Sequence, residues 1–275
     1  MIEIPESKTI SIQAGDALIG KRIVEICPAT SPHKFAFYHG DPSAYGKLLN
    51  GRSIISARGH GMFVDLCCEG DVFITIGDGT NVRYCSSAEP VPEKYQLLMG
   101  FDDGSFLVFT VAMYGGIWAY KGDLDNKYHH GSLNSISPLD NNFDENYFDG
   151  IFKNTHKDLS MKALLATEQR IPGLGNGVLQ DILFNAKLHP KRKKSGITDA
   201  QKAGLFSSLK LTLNRMTDLG GRDTEKDLFG HSGGYKTILS KNTILNPCPV
   251  CGNSIIKEAY MGGAVYFCPV CQTLY

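Results

Sequence analysis

Between Ile23 and about Ala119, apolar residues fall in short dense runs rather than at helical intervals. Ile54-Ile55, Phe63-Val64-Asp65-Leu66, Val72-Phe73-Ile74-Thr75-Ile76 and Phe106-Leu107-Val108-Phe109 are rich in β-branched and aromatic residues and are bounded by Gly, Asp and Asn. Runs of this kind predict strands, and their spacing predicts a sandwich or barrel. From Lys121 to Asp149 the chain turns polar, with many Asp and Asn, and reads as a linker. Beyond it the period becomes helical, with Leu179, Ile182, Leu183 and Ala186 on one face. Thr198 and Gln201 form a capping box ahead of Leu205, Leu209, Leu213 and Met216, and Gly220-Gly221 ends that helix.

The C-terminus follows neither period. It carries Cys248, Cys251, Cys268 and Cys271 as two Cys-x-x-Cys pairs separated by 16 residues. Two such knuckles bring four thiolates into one tetrahedron, and four thiolates close the shell of a structural zinc ion. A segment this short has little core of its own, and structural zinc supplies roughly 10–16 kcal/mol of apparent binding energy. The N-terminus shows no secretory pattern, which points to a reducing compartment and makes paired disulfides the weaker reading. Cys27, Cys67, Cys68 and Cys85 lie among strand-like residues and read as buried thiols.

Composition narrows the picture only a little. The 275 residues are 42% hydrophobic and 20% charged, with 28 basic and 28 acidic side chains. That suffices for two domains plus the cysteine module. No apolar run approaches the roughly 20 residues that span a bilayer, so no membrane partner is expected. The zero net charge means that a nucleic-acid partner needs a local basic surface. Two segments offer one. Gly173 and Gly175, in Ile171-Pro-Gly-Leu-Gly-Asn176, allow close backbone approach, and amides at the start of the next helix suit a phosphate, with Asn176 as an added donor. A tight helix–helix turn needs the same glycines. The run Lys187, His189, Lys191, Arg192, Lys193 and Lys194 follows shortly; it is either a solvated face or a phosphate contact. Gly230-His-Ser-Gly-Gly-Tyr235 reads as a turn.

With these residues in view, the chain resembles the formamidopyrimidine-DNA glycosylase and endonuclease VIII family. Met1-Ile-Glu-Ile-Pro-Glu6 is similar to the family's Met-Pro-Glu-Leu-Pro-Glu opening. The Gly173-to-Asn176 turn, Asp181-Ile-Leu-Phe184 and His189-Pro190 are similar to its helix–two-turn–helix element, and the ribbon to its zinc finger. The resemblance implies an α+β multidomain fold: a β-sandwich over 1–122, a linker over 123–149, a helix–two-turn–helix domain over 150–243 and a zinc ribbon over 244–275. It also implies a monomer that binds double-stranded DNA with a lesion or abasic site, in the cytoplasm or nucleoid. In such enzymes a base is flipped out, and the α-amine exposed by removal of the initiator Met attacks the sugar. Its lower pKa, ~8 against ~10.4 for lysine, leaves part of it neutral at physiological pH.

Carried onto this sequence, the catalytic positions are Ile2, Glu3 and Glu6, with Glu3 in proton transfer. Ile2 stands where the family has its proline nucleophile. His60 takes the place of a phosphate-binding hairpin lysine, and Asp78 approximately that of a methionine wedge. In Thr110-Val-Ala-Met-Tyr-Gly115, Met113 replaces an arginine that pairs with the orphaned base, while Tyr114 keeps an aromatic wedge. Both also read as the apolar face of a strand. Gly263 stands where the ribbon's phosphate-clamping arginine is expected, and Lys257 is the ribbon's only cation. The expected DNA contacts are His60, Met113, Tyr114, Gly173, Gly175, Asn176, Lys191, Arg192 and Gly263. Three functions stay open: a DNA binder with weakened or lost lyase chemistry; an active glycosylase using a processed amine or Glu3-activated water; and a zinc-ribbon module for RNA or protein.

Overall fold

The computed structural model describes residues 1–275. The chain opens with helix α1 (Ile4–Leu18), in a stretch the sequence reading treats only as a motif. Its start is a capping box made of glutamates: Glu3 accepts from helix amides, and Glu6 returns a carboxylate to the Glu3 amide at 3.1 Å. Pro5 fits the first turn, where its missing N–H is no loss. Ile10, Ala14 and Leu18 then fall on one buried face.

Nine strands follow: β1 (Ile23–Pro28), β2 (Ala36–Tyr38), β3 (Ile54–His60), β4 (Phe63–Cys68), β5 (Val72–Ile76), β6 (Thr80–Cys85), β7 (Leu97–Phe101), β8 (Phe106–Val111) and β9 (Gly115–Lys121), with the short helix α2 (Tyr45–Leu49) between β2 and β3. They form a four-stranded sheet ordered β1-β7-β8-β6 and a five-stranded sheet ordered β2-β9-β5-β4-β3. All pairings are antiparallel except β2 with β9. Ile23, Ile54, Leu66, Ile74, Met99, Leu107, Phe109 and Ile117 meet between the sheets, so the sandwich expected from the apolar runs is present.

The polar segment is not a bare linker. It holds α3 (Lys127–Asn134) and leads into α4 (Glu145–Lys153). Part of its polarity is capping: Asn126 accepts from the Tyr128 and His129 amides at 2.9 and 3.2 Å, and Asp144 from Tyr147 at 2.8 Å. Phe143 and Phe148 anchor it in the second core. Helices α5 (Met161–Ala166), α6 (Asn176–Asn185) and α7 (Asp199–Asp218) complete that core, and α7 starts at the expected Thr198–Gln201 capping box. Ile4 enters this helical core while Ile10 and Leu18 enter the sandwich, so α1 bolts the two together.

The ribbon hairpin, β10 (Ile256–Tyr260) with β11 (Gly263–Phe267), rests on α6. Asn176 and Gln180 donate to the Ala264 carbonyl at 2.8 and 3.2 Å, and the Tyr266 amide donates to Gln180 at 3.1 Å. No helix is long and apolar enough to cross a membrane.

Candidate active-site cleft

A cleft of about 370 Å³ lies where the start of the chain, the β5–β6 and β8–β9 turns, the glycine turn and the ribbon tip converge. It brings together Ile2, Glu3, Met113, Tyr114, Gly173, Gly175, Asn176 and Gly263 from the expected set. Glu6, His60, Lys191 and Arg192 lie outside it.

The floor is built on charge. Glu3 accepts the Gly177 and Val178 amides at 2.9 and 2.8 Å, at the N-terminus of α6. Those amides are therefore engaged by this chain's own carboxylate, not held open for a phosphate. The glycines are there for Glu3. A Cβ on Gly175 would sit 2.6 Å from its carboxyl carbon, and one on Gly177 would sit 1.5 Å from Nη1 of Arg222. Gly173 has φ +78°, and a Cβ there would meet the Gly61 carbonyl carbon at 2.2 Å, so that turn seats the β3–β4 hairpin.

Arg222, which the sequence reading did not single out, sits beneath Glu3 at 2% exposure. Its Nε and Nη2 donate to the two oxygens of Glu6, each at 2.9 Å, and Nη1 lies 3.5 Å from Glu3. Its backbone amide also donates to Glu6 at 3.1 Å. Glu6 is thus a positioning group, clamped face-on to a guanidinium. Burial raises the Glu3 carboxyl above the ordinary range even though Arg222 and two amides oppose the shift. Burial pushes Glu6 the same way, but there the bidentate Arg222 wins and holds it below the ordinary range. Of the two, Glu3 is the better proton holder.

Ile2 lines the cleft. Its side chain is 4% exposed and belongs to the sandwich core. The Met1 α-amine forms an ion pair with Glu225. Across the cleft, the Tyr114 hydroxyl donates to Oδ2 of Asp78 at 2.9 Å, while Oδ1 of Asp78 is buried without a partner. Burial raises the Asp78 carboxyl. Met113 is 65% exposed, and Tyr114 is exposed beside it in the turn between β8 and β9. The strand-face reading of these two is therefore wrong; the turn breaks the β8 alternation just before them. Gly79 explains how the turns come so close, since a Cβ there would meet the Tyr114 carbonyl oxygen at 1.9 Å.

His60 faces inward. Its Nδ1 lies 2.6 Å from Ser132 and its Nε2 2.9 Å from Asp65, so neither nitrogen is free for a phosphate. The basic run is likewise occupied. Lys191 pairs with Glu258, Arg192 donates to the Gly196 carbonyl at 2.8 Å, and Lys194 reaches the Phe152 and Thr155 carbonyls at the C-terminal end of α4. Cations satisfy carbonyls left over at a helix end, as Lys194 does at the end of α4.

A cation from another element lies beside the ribbon tip. Lys162 of α5 donates to the Tyr260 carbonyl at 2.6 Å, and its Nζ is 3.4 Å from where a Gly263 Cβ would stand. Burial lowers its pKa. In sequence it is one lysine in Ser160-Met-Lys-Ala163, with nothing local to mark it.

At the other end of the ribbon the four cysteine sulfurs lie within 4.8 Å of one another. Cys251 and Cys268 are 3.4 Å apart, and Cys248 and Cys271 3.8 Å. A tetrahedral ion with 2.3 Å bonds separates its sulfurs by about 3.8 Å, so the donor set fits zinc. The amide of Cys271 also approaches the Cys268 sulfur at 3.5 Å, as knuckle amides do around thiolates.

No protein-family model matches the chain. Curated relatives do, over the whole length. The formamidopyrimidine-DNA glycosylase of Cytobacillus firmus is 26% identical over 283 residues, covering 99% of this chain and 100% of the relative. That of Geotalea daltonii is 27% identical over 282 residues, covering 99% and 100%. Among solved structures, the MutM (Fpg) protein of Thermus thermophilus superposes with TM-score 0.80 at 24% identity, covering 98% of each chain. Lactococcus lactis Fpg in complex with an abasic site containing DNA superposes with TM-score 0.82 at 23% identity, covering 98% of this chain and 99% of that one.

Proposed function

We propose, from the premise that this chain belongs to the formamidopyrimidine-DNA glycosylase and endonuclease VIII family, that it grips damaged or abasic double-stranded DNA while its Schiff-base chemistry is weakened or lost. The family is one of base-excision-repair DNA glycosylases. What supports the second half is that Ile2 stands in place of the family's proline with its side chain in the sandwich core, and that the Met1 α-amine pairs with Glu225. An ammonium held by a carboxylate is a poor nucleophile, because the attacking form is the neutral amine.

The grip is assigned residue by residue. Glu3 is the acid–base group, with Glu6 and Arg222 positioning it. Met113 and Tyr114 occupy the gap left by a displaced base, where apolar and aromatic wedges hold a stack open. Asn176 and Lys162, beside the ribbon tip at Gly263, contact the backbone, Lys162 as a point charge. Gly173 and Gly175 act through packing, and Lys191 and Arg192 by bracing the ribbon and their own loop. Zinc held by Cys248, Cys251, Cys268 and Cys271 fixes that tip and takes no part in the chemistry. The domain limits proposed are 1–122, 123–149, 150–243 and 244–275, with the middle segment as a helical brace.

One observation favours an active enzyme: burial raises the pKa of Glu3, which suits a group that donates a proton or activates water. Borohydride trapping on duplex DNA with an abasic site or an oxidised purine decides between the two. The expected result is salt-sensitive binding with little or no covalent adduct. A stoichiometric adduct mapped to Met1 or Ile2 refutes the weakened reading, and failure to bind any duplex refutes the DNA reading itself.

A further inference from the structure

Away from the cleft, three side chains converge behind the β3–β4 hairpin. Oδ2 of Asp65 lies 2.9 Å from Nε2 of His60 and 3.1 Å from Nε2 of His129. Its Oδ1 accepts the Thr75 hydroxyl at 2.6 Å. All three residues are more than nine-tenths buried, and the two histidines are the only ion-pair partners of Asp65. A carboxylate buried without a compensating charge costs several kcal/mol, so the cluster calls for one positive charge.

One arrangement of the hydrogens places that charge beside His60. The Ser132 hydroxyl donates to the His129 carbonyl at 2.9 Å, which leaves its oxygen as an acceptor 2.6 Å from Nδ1 of His60. With the hydroxyl donated that way, Nδ1 of His60 carries a hydrogen. In a neutral imidazole the other nitrogen is then a bare lone pair, and this one faces a carboxylate oxygen 2.9 Å away. Two acceptors at that distance need a cation between or beside them. The second ring approaches the same carboxylate from another direction, at 76° to the first with centroids 4.8 Å apart.

We infer that His60, Asp65 and His129 bind a divalent transition-metal ion of the zinc class, separate from the ribbon site. Two imidazoles and a carboxylate are a borderline donor set suited to zinc, cobalt or nickel. Bonds of about 2.0–2.1 Å in a tetrahedron put neighbouring ligand atoms about 3.3 Å apart, so the observed 2.9 and 3.1 Å need open by only a few tenths of an ångström. Ser132 supplies the outer hydrogen bond that fixes the ligand tautomer of His60. A polar cavity of about 470 Å³ reaches His60 and Ser132, on one side of the cluster. Bound there, the ion ties β3 and β4 to α3, directly behind Gly61. The inference is independent of the DNA reading.

Zinc counting tests it on the full-length protein, equilibrated with zinc and passed over a chelating resin. The expected content is about two ions per chain, with an X-ray absorption edge showing a mixed shell of sulfur and nitrogen or oxygen. Asp65→Asn is expected to fall to about one ion with a sulfur-only shell. Should that variant fail to fold, His129→Gln reads the same loss. A native protein with one zinc per chain and sulfur alone overturns the inference.

Discussion

Replacing Arg222 with Met removes the one guanidinium that faces both Glu3 and Glu6 while keeping much of the side-chain volume. Glu6 loses two side-chain hydrogen bonds of 2.9 Å, and Glu3 a partner at 3.5 Å. Both carboxylates stay in a site less than one-twentieth exposed. Breaking a buried pair in this way costs about 3–5 kcal/mol, because an uncompensated charge remains. For a chain of this size 1 kcal/mol moves the melting temperature by about 2 °C or slightly more, so the expected drop is roughly 6–10 °C.

The pH dependence gives the sharper check. In the native protein Glu6 has its pKa depressed by Arg222. Its stabilisation is therefore present above the unfolded value of ~4.3 and lost as pH falls through the folded one. Without Arg222, burial raises both carboxyls, and the variant is penalised most when both are ionised. The native–variant gap should be widest near pH 7.5 and close progressively toward pH 4.5. The assay is a melting series by intrinsic fluorescence for both proteins. A drop below about 2 °C at pH 7.5, or a gap that does not change with pH, would refute the account of Arg222 as the electrostatic centre of the floor.

Two further outcomes follow from the same geometry. Gly173→Ala places a Cβ at φ +78° and 2.2 Å from the Gly61 carbonyl carbon, both backbone constraints, and should cost at least about 2 kcal/mol in urea unfolding; a neutral result would mean that the hairpin does not seat on this turn. Stripping zinc with a strong chelator should release the segment after about residue 244 to proteolysis while the sandwich stays resistant, since the ribbon's own core is a handful of side chains around the cysteines; continued protection would deny the metal its structural role.

What the sequence made legible was whatever is written locally. The strand runs, the Thr198–Gln201 box and the cysteine knuckles each involve residues within a few positions of one another, and each appears where its pattern puts it. Helix α1 escaped notice because its cap is built from glutamates and its first turn contains a proline, so the hexapeptide reads as a motif and not as a helix start. Arg222 pairs with a residue 216 positions away, and Lys162 with one 98 away. No period or spacing carries that information. The inward turn of His60 depends on Asp65, five residues on, and on His129 and Ser132, which lie in the segment read as linker.

Those distant pairings bear directly on what the cleft can do. A phosphate-binding surface needs cations with spare hydrogen-bonding capacity, yet the basic side chains here are largely taken up within the protein: Arg222 by two glutamates, Lys191 by Glu258, Arg192 and Lys194 by carbonyls, and the Met1 ammonium by Glu225. Lys162 is the one lysine or arginine that lines the cleft, with one bond to Tyr260 and the remaining hydrogens of its ammonium free to turn toward the tip where Gly263 leaves room. Two acceptors, Oδ1 of Asp78 and Oδ1 of Asn176, line the same cleft buried and without partners. Buried acceptors left unpaired cost about 1–3 kcal/mol each, a cost that a ligand presenting N–H groups would relieve and a bare phosphate would not. By that chemistry the two acceptors suit a ligand that presents N–H donors, and Lys162 is the cation placed beside them.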